Sequence, residues 1–418
     1  MRDAVLWALA FFPWIDFAVR LGGARIGVPS ALTRGWDEML IVAGLAVAAS
    51  ATRTASASKP LVRPSIRTPL VVCLAAAVLS VLVNGVPVPI AVDALRVTFQ
   101  PALVGVIVLA TLRDPGPRDR FVDHVIASAG LVALLALVQY ALGIEGPRWA
   151  NKPNADQFRV VSVFANPNAL GAYLTLALAL ALALAASTSA GVRRTAYVVS
   201  ACTLAAGLGV TFSRGAWAGC VVMCGTLVAL ADRKAVMALF VAAALGTAVA
   251  VVPRSAPARV AELGDPAYYQ QSARYGRLAF LQTAVASIRD HPVFGVGAGN
   301  FGGSVALRHG VLGATWVDNL YAKVAAEMGL PGLAALLSLL FALGWRADRV
   351  RRSAARARDR ALALGVLGGI VTLAIQSATA SVSEALYVGV AFAALVGVVL
   401  AVPAPPAATG DAVGAAGP

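Results

Sequence analysis

The stretch that organises this chain runs from residue 254 to residue 332. It contains the segments YYQQSARYGR (268–277), DHPVFGVGAGNF (290–301), VDNLY (317–321) and EMGLPG (327–332). Apolar segments flank it on both sides, and crossing a bilayer as a helix takes about 20 apolar residues. Because long insertions between regular elements are usually functional, we expect this stretch to carry the activity.

The composition predicts an all-α polytopic membrane protein. The 418 residues are 59% hydrophobic and 13% charged, with a mean hydropathy of +0.79, whereas soluble domains carry about 25% charged residues. By length and apolarity we predict about twelve transmembrane helices, which lie at 4–20, 37–52, 69–84, 89–112, 121–143, 167–189, 195–212, 215–231, 235–252, 318–345, 361–379 and 383–402.

The distribution of Lys and Arg predicts the topology. With a cytoplasmic N-terminus, 19 of the 34 basic residues fall in cytoplasmic segments, mostly in compact clusters, as the positive-inside rule requires. Both termini are then cytoplasmic and the long polar loop is extracytoplasmic. The predicted parts are a nine-span bundle (1–252), the loop with its amphipathic helices (253–317), spans ten to twelve (318–402) and a disordered cytoplasmic tail (403–418).

Several functional classes are disfavoured by the same composition. The net charge of +14 arises mainly from short loops between apolar segments, so it reflects membrane topology rather than binding of nucleic acid. The four cysteines lie inside apolar segments and are expected to be buried hydrophobic residues. Three histidines without a Cys/His cluster give no metal site, and no cofactor is expected.

The basic residues that remain at the outer face include candidates for anion binding in two places. Arg214 lies in TFSRGAW (211–217), where two apolar segments meet with almost no loop. It could interact with lipid headgroups or contact an anion at the rim of a cavity. Arg274 and Arg277 begin a predicted amphipathic helix that ends before Pro292, and a solvated polar face is an equally good interpretation of them.

Three further motifs have both structural and functional interpretations. The glycine-rich GVGAGNF (295–301) is a weak match to a nucleotide loop and is predicted to be a tight turn that approaches a ligand or a helix. Asp318-Asn319 suits a helix N-cap, while the Asp318 carboxylate could also accept a hydroxyl proton. The segment from Arg159 to Gly171 enters the sixth span in the same way, with Pro167 at the helix start.

Four motifs in one order resemble the O-antigen ligase and O-antigen or exopolysaccharide polymerase superfamily. They are Arg159 with SVFANPNALGAY (162–173), then SRGAW (213–217), then DHPVFGVGAGNF (290–301), then DNLY with EMGLPG (318–332). The resemblance implies a metal-independent, inverting glycosyltransferase of the membrane-embedded C type. Its donor would be a glycan on undecaprenyl diphosphate, used at the outer face of a bacterial inner membrane, and its acceptor a glycan or glycolipid.

The resemblance also implies roles for particular residues. Arg214 and Arg277 would hold the diphosphate and Asp318 would activate the acceptor hydroxyl; His309 is an alternative base. The candidate substrate-binding residues are Arg159, Asn168, Arg274, His291, Asn300, Asn319 and Tyr321. Arg274 comes from the predicted amphipathic helix and the others from the four motifs. Ligases of this family carry His-Asn where this chain has Asp318-Asn319, which favours a polymerase that extends lipid-linked repeat units.

Other functions stay open at this stage. A ligase that attaches finished glycan to lipid A-core or another acceptor is the second interpretation. A lipid-linked oligosaccharide flippase would also have many spans and cationic groups, although its basic residues should lie deep in the spans, where only Arg96 qualifies. A non-catalytic scaffold for envelope assembly is the remaining interpretation. Convergence of Arg214, Arg277 and Asp318 on one outer cavity would favour an enzyme.

Overall fold

The fold was analysed in a computed structural model, which describes residues 1–28, 33, 35–53, 62–144, 159–164, 166–251, 260–314 and 316–403. The described residues form α-helices and two short 3₁₀ turns, with no β-strand among them. The helices are α1 (Arg2–Ala10), α2 (Phe12–Arg25), α3 (Trp36–Arg53), α4 (Pro64–Val83), α5 (Val88–Thr111), α6 (Pro115–Ala141), α7 (Pro167–Ser187), α8 (Val192–Gly209), α9 (Arg214–Leu230), α10 (Lys234–Val251), α11 (Pro266–Tyr275), α12 (Arg277–Asp290), α13 (Gly303–Arg308), α14 (Leu320–Ser353), α15 (Ala357–Ser377) and α16 (Leu386–Leu400). The predicted all-α class is confirmed for this part of the chain.

The number of membrane-spanning helices differs from the prediction. Within the described ranges, seven helices are long and apolar enough to cross a bilayer, namely α4, α5, α6, α7, α10, α14 and α15. The count rises to eight if α1 and α2, which meet at an angle of 82°, form one broken span. All twelve predicted segments contain helix, but α9 and α16 are short and α3 and α8 are also not among the candidate spans, so the count of twelve is not confirmed.

Helix α7 is the centre of the bundle. Its sequence alternates Leu and Ala over 176–185, and every residue from Ala169 to Ala186 is buried. A helix that is apolar on all faces belongs in the interior, and α7 packs against α15, α8, α9 and α6. The side chain of Asn166 caps its first turn by accepting a hydrogen bond from the Asn168 amide at 2.7 Å. Asn168 therefore lies at one end of the buried core.

Close contact between α9 and α15 depends on small residues. Gly215 and Gly219 are four residues apart on α9, and a Cβ at either position would collide with the side chain of Thr379 or Thr372. This spacing is the small-residue pattern that allows membrane helices to approach closely. Arg214, at the first position of α9, is consequently fixed beside the C-terminal end of α15.

The polar stretch forms short helices rather than one long amphipathic helix. The predicted helix from Arg274 to Ile288 is divided at Gly276, so Arg274 ends α11 and Arg277 begins α12. Gly276 is enclosed by Ser272 and a Cβ would lie 2.9 Å from the Ser272 Cα. Helix α12 ends at Asp290, as Pro292 predicts, and packs against α14. Arg254 and Arg259 lie outside the described residues, as does the predicted disordered tail beyond residue 403.

The glycine-rich turn completes the backbone hydrogen bonds of a kink in α14. Gly329 has φ 70° and Pro331 lacks an N–H, so the helical hydrogen bonds of this turn are interrupted. The amides of Val296 and Gly297 donate to the carbonyls of Ala326 and Glu327 at 2.9 and 3.1 Å. Leu330 donates in return to Pro292. Of the two alternatives predicted for the glycine-rich segment, approach to a neighbouring helix is the one observed.

Candidate active site

A small polar cavity lies between the N-terminal ends of α7, α9 and α12 and the C-terminal end of α15. It has a volume of about 30 Å³, and its lining consists of Arg159, Asn168, Phe212, Ser213, Arg214, Gly215, Ala216, Arg277, Gln376, Thr379, Ala380 and Val382. We call it the arginine cavity because three guanidinium groups line it and, among the described residues, no carboxylate does. These three arginines are separated by up to 118 positions in sequence and come from three different segments.

Arg159 is held at the N-terminal end of α7. Its Nε donates to the Thr211 carbonyl at 3.1 Å and its Nη2 to Asn168 Oδ1 at 3.0 Å. The Ser213 hydroxyl donates to the same Asn168 oxygen at 3.0 Å. Asn168 therefore joins the segment before α7 to the turn before α9, and Arg159 is positioned by groups on both.

The turns that deliver Arg159 and Arg214 contain unusual backbone. Ser162 and Phe212 both have φ 51°, and they are the non-glycine residues with positive φ in the described chain. Such conformations cost on the order of 1–3 kcal/mol each and concentrate at functional sites. Gln139 holds the first turn, because its side chain exchanges two hydrogen bonds, of 2.8 and 3.2 Å, with the backbone of Ser162.

Arg214 is held by two side chains of the polar stretch. Its Nη1 lies 3.3 Å from Glu262 Oε2, and its Nη2 donates to the Tyr268 hydroxyl at 2.9 Å. The guanidinium also lies 5.0 Å from the centre of the Tyr268 ring, within the range of a cation–π contact. The side chain is 18% exposed, so this charge is largely removed from solvent.

Arg277 and Asp318 form an ion pair beside the cavity. Arg277 Nε donates to Asp318 Oδ2 at 2.8 Å, with the two side chains 40% and 25% exposed. The two terminal nitrogens of Arg277 make no hydrogen bond to the described residues. A guanidinium has five N–H donors in a fixed plane, so Arg277 can keep Asp318 on its Nε edge and bind an anion with the other edge.

Asn319 and Tyr321 attach the start of α14 to the end of α15. Asn319 is the N-cap, since its Oδ1 accepts from the Ala322 amide at 2.9 Å, and its Nδ2 donates to the Ala378 carbonyl at 3.2 Å. The Tyr321 hydroxyl donates to the Ala374 carbonyl at 2.8 Å. Asn319 alone provides the side-chain cap, which leaves the carboxylate of Asp318 available to Arg277.

Four other residues singled out in the sequence do not line the arginine cavity. Arg274 and His291 are exposed, and neither side chain makes a hydrogen bond or ion pair with the described residues. Asn300 donates to the Val296 carbonyl at 3.2 Å within the glycine-rich turn. His309 Nε2 lies 3.1 Å from Asp93 Oδ2 on α5, which places the alternative base elsewhere.

The structure adds residues that the sequence did not indicate. Glu262 and Tyr268 position Arg214, and Gln376 and Thr379 complete the cavity wall from α15. Gln376 lies inside an apolar segment, where polar residues are rare and usually functional, so this signal could have been used. Glu262 carried no such signal, because acidic residues in a polar loop are ordinary.

The geometry suits an anion with several oxygens. Three guanidinium groups face a partly buried space, and Arg binds phosphate groups through paired N–H donors. The carboxylate of Asp318, which could accept a proton, is ion-paired with Arg277 beside this space. The arrangement can therefore neutralise a phosphate-bearing leaving group and receive a proton near it.

Comparison with known families identifies the class. Residues 197–337 match the family described as O-antigen ligase. The matched segment runs from α8 into α14 and contains Arg214, Arg277 and Asp318, while Arg159 and Asn168 precede it. The resemblance to the O-antigen ligase and polymerase superfamily is thus confirmed, and the protein belongs to the multi-pass membrane proteins. No curated protein matches the chain.

Proposed function

We propose that this chain is a membrane glycosyltransferase that takes a glycan from undecaprenyl diphosphate at the outer face of a bacterial inner membrane. We further propose that it polymerises lipid-linked repeat units of O-antigen or exopolysaccharide, in a GT-C-like fold with both termini cytoplasmic. One observation carries the proposal. Arg159, Arg214 and Arg277 line one cavity, and Asp318 is paired with the last of them.

The arginines account for departure of the leaving group. When the acceptor oxygen attacks the anomeric carbon, the bond to the diphosphate oxygen breaks and undecaprenyl diphosphate carries the electron pair away. Fixed positive groups in a water-poor site stabilise this charge far better than water does. Arg214 and Arg277 supply the positive charge that a divalent metal supplies in other phosphate chemistry, so the reaction needs no metal ion.

Asp318 accounts for activation of the acceptor. Its carboxylate takes the proton from the attacking hydroxyl, and the displacement from the opposite side of the sugar inverts the anomeric configuration. Arg277 links the two halves of the reaction, because its Nε holds Asp318 while its terminal nitrogens are directed to the leaving group. The base and the diphosphate are thereby held at two edges of the same guanidinium group, that of Arg277.

The cavity has to widen before it can bind a donor. A volume of about 30 Å³ has room for about two water molecules, and a diphosphate is several times larger. The two contacts of Arg214 with Glu262 and Tyr268 are the ones a diphosphate would replace. Partly exposed ion pairs contribute only about 0–1 kcal/mol, so a doubly charged ligand can displace Glu262.

Two other functions define the outcomes of the test. The carboxylate at position 318, where ligases of this family have histidine, favours a polymerase over a ligase acting on lipid A-core. A flippase is disfavoured because the clustered arginines lie at helix ends rather than along the middle of the spans. Within the spans, Arg96 is paired with Asp37 at 3.1 Å.

The test uses purified protein in detergent with an undecaprenyl-diphosphate-linked repeat unit and neither nucleotide nor metal. Products are sized on a gel with and without a glycolipid acceptor. A ladder of longer lipid-linked glycans without the acceptor is the expected result. A single product that requires the acceptor would make the protein a ligase. No covalent product, with glycolipid redistributed across vesicle membranes, would replace the proposal with a flippase.

A further inference from the structure

A second, larger cavity lies on the other face of the α15 end. It has a volume of about 260 Å³ and is enclosed by α4, α5, α14, α15 and α16. Ala374 and Ser377 of α15 line it, whereas Gln376 and Thr379 line the arginine cavity. The end of α15 is therefore a wall between two separate cavities. We call the larger one the apolar cavity, since aliphatic and aromatic side chains form nearly all of its lining.

The apolar cavity is long and narrow. Leu320 and Leu343 of α14 both line it, and 23 residues of helix extend roughly 34 Å, which is shortened somewhat by the kink at Gly329. The hydrocarbon core of a bilayer is about 30 Å thick. A volume of 260 Å³ spread over such a length has the shape of an extended chain.

A buried cluster of charges closes one end of this cavity. Lys323 Nζ lies 2.6 Å from Glu327 Oε2 and 3.0 Å from Glu384 Oε1. The backbone amide of Ser304 donates to the other oxygen of Glu384 at 2.8 Å. Two carboxylates thus face one ammonium, and no other basic residue among those the structure describes lines the apolar cavity. With both carboxylates ionised, the cluster has one negative charge in excess.

Glu327 has hydrogen-bonding capacity that the described chain does not use. The residue is 4% exposed, and its Oε1 makes no hydrogen bond with the described residues. The backbone amide of Gly299 also interacts with this carboxylate, while Oε1 has no hydrogen bond from the described residues. A buried acceptor without a donor is costly, so this position favours a ligand that donates a hydrogen bond.

The surroundings determine what fills the cavity. Apolar cavities do not hold water and bind hydrocarbon instead, and an unfilled one lowers stability in proportion to its volume. The apolar cavity runs along helices that are themselves candidate membrane spans, so hydrocarbon chains of lipids are the apolar molecules at hand. The negative excess at Lys323, Glu327 and Glu384 opposes a phosphate at this end.

We propose that the apolar cavity is a lipid site, in which one hydrocarbon chain lies along α14 and its head donates a hydrogen bond to Glu327. The head carries no negative charge, as in an alcohol or an amine. This site differs from the arginine cavity in the sign of its charge. The proposal does not depend on glycosyl transfer, because occupancy of the apolar cavity is measured without any donor substrate.

The test uses photoreactive hexadecanol, with a diazirine in its chain, added to the purified full-length protein in detergent. Labelled residues are located by mass spectrometry of peptides. Labels are expected on residues of the cavity such as Leu336 and Phe392. Unlabelled hexadecanol and hexadecylamine should compete at least tenfold better than hexadecyl phosphate. In Glu327→Gln, which removes the excess charge, this preference should fall to less than threefold.

Two variants of matched size control for folding. Ala102 lines the cavity on α5, whereas Ala75 is exposed on α4. Ala102→Trp should remove the labels from cavity residues, and Ala75→Trp should retain them. Equal labelling in both variants, or labels only on exposed helix faces, would overturn the lipid site. Equal competition by the phosphate in the wild-type protein would overturn the assignment of the head group.

Discussion

The arginine cavity and the apolar cavity are neighbours with opposite chemistry. Three guanidinium groups line the first and leave it with a volume of about 30 Å³, while the second extends over about 260 Å³ with a buried Lys323–Glu327–Glu384 cluster at one end. Among the described residues, the end of α15 contributes to the walls of both. If both proposals hold, one helix end divides a site for a diphosphate from a site for a hydrocarbon chain.

The largest expected effect is on the arginine side. Arg214→Ala and Arg277→Ala should each lower the rate of glycan transfer by at least about 100-fold, because removal of one charge-stabilising donor typically costs this much. Arg289→Ala is the matched control, since Arg289 is exposed at the far end of α12. Rates are read from gel ladders at equal protein levels. Full activity in both cavity variants would contradict the assignment.

The next effect separates the base from the helix cap. Asp318→Asn should reduce transfer by about 100-fold or more, within the range for loss of a general base. Thermal stability should stay close to wild type, because Asn319 rather than Asp318 caps α14. Wild-type rates in this variant would show that Asp318 only positions Arg277.

A smaller effect should go in the opposite direction. Glu262→Gln removes the carboxylate that is paired with Arg214. The diphosphate of the donor then no longer competes with a carboxylate for the Arg214 guanidinium. The KM for the lipid-linked donor should fall by about two- to fivefold, which corresponds to a partly exposed ion pair of up to 1 kcal/mol. Steady-state kinetics at varied donor concentration measures it. A raised KM would mean that Glu262 holds Arg214 in its binding position.

The smallest effect concerns the wall between the cavities. Tyr321→Phe removes the hydrogen bond from α14 to the Ala374 carbonyl on α15 and should lower the free energy of unfolding by about 1 kcal/mol. Thermal unfolding in detergent detects this change, and Tyr269→Phe, which removes an exposed hydrogen bond to the Leu263 carbonyl, should lower stability less. A loss of transfer as large as that of Asp318→Asn would instead place Tyr321 in the chemistry.

The sequence predicted the parts of the molecule that depend on local patterns. Apolar length located every predicted helix, and Pro292 correctly ended α12. The predicted number of spans is not confirmed, because helices such as α16 are apolar enough to cross a bilayer but too short. The break at Gly276 was missed, since the apolar spacing continues across it and only the close packing on Ser272 requires a glycine there.

The site was only partly predictable for a similar reason. Arg159 and Arg214 were selected from motifs and Arg277 from the predicted amphipathic helix, and they come together because α7, α9 and α12 begin at one place. Arg274 was selected as part of the same predicted helix as Arg277, but the helix break separates the two. Glu262, Tyr268 and the apolar cavity arise from contacts between distant segments, which no local pattern records.

The most direct measurement is a structure of the protein with undecaprenyl diphosphate bound. We expect phosphate density within hydrogen-bond distance of the Arg214 and Arg277 guanidinium groups, with Glu262 displaced from Arg214. The Lys323 cluster should be free of phosphate. Phosphate density at Lys323, or at a position that neither arginine reaches, would rule out binding of the diphosphate by these two arginines.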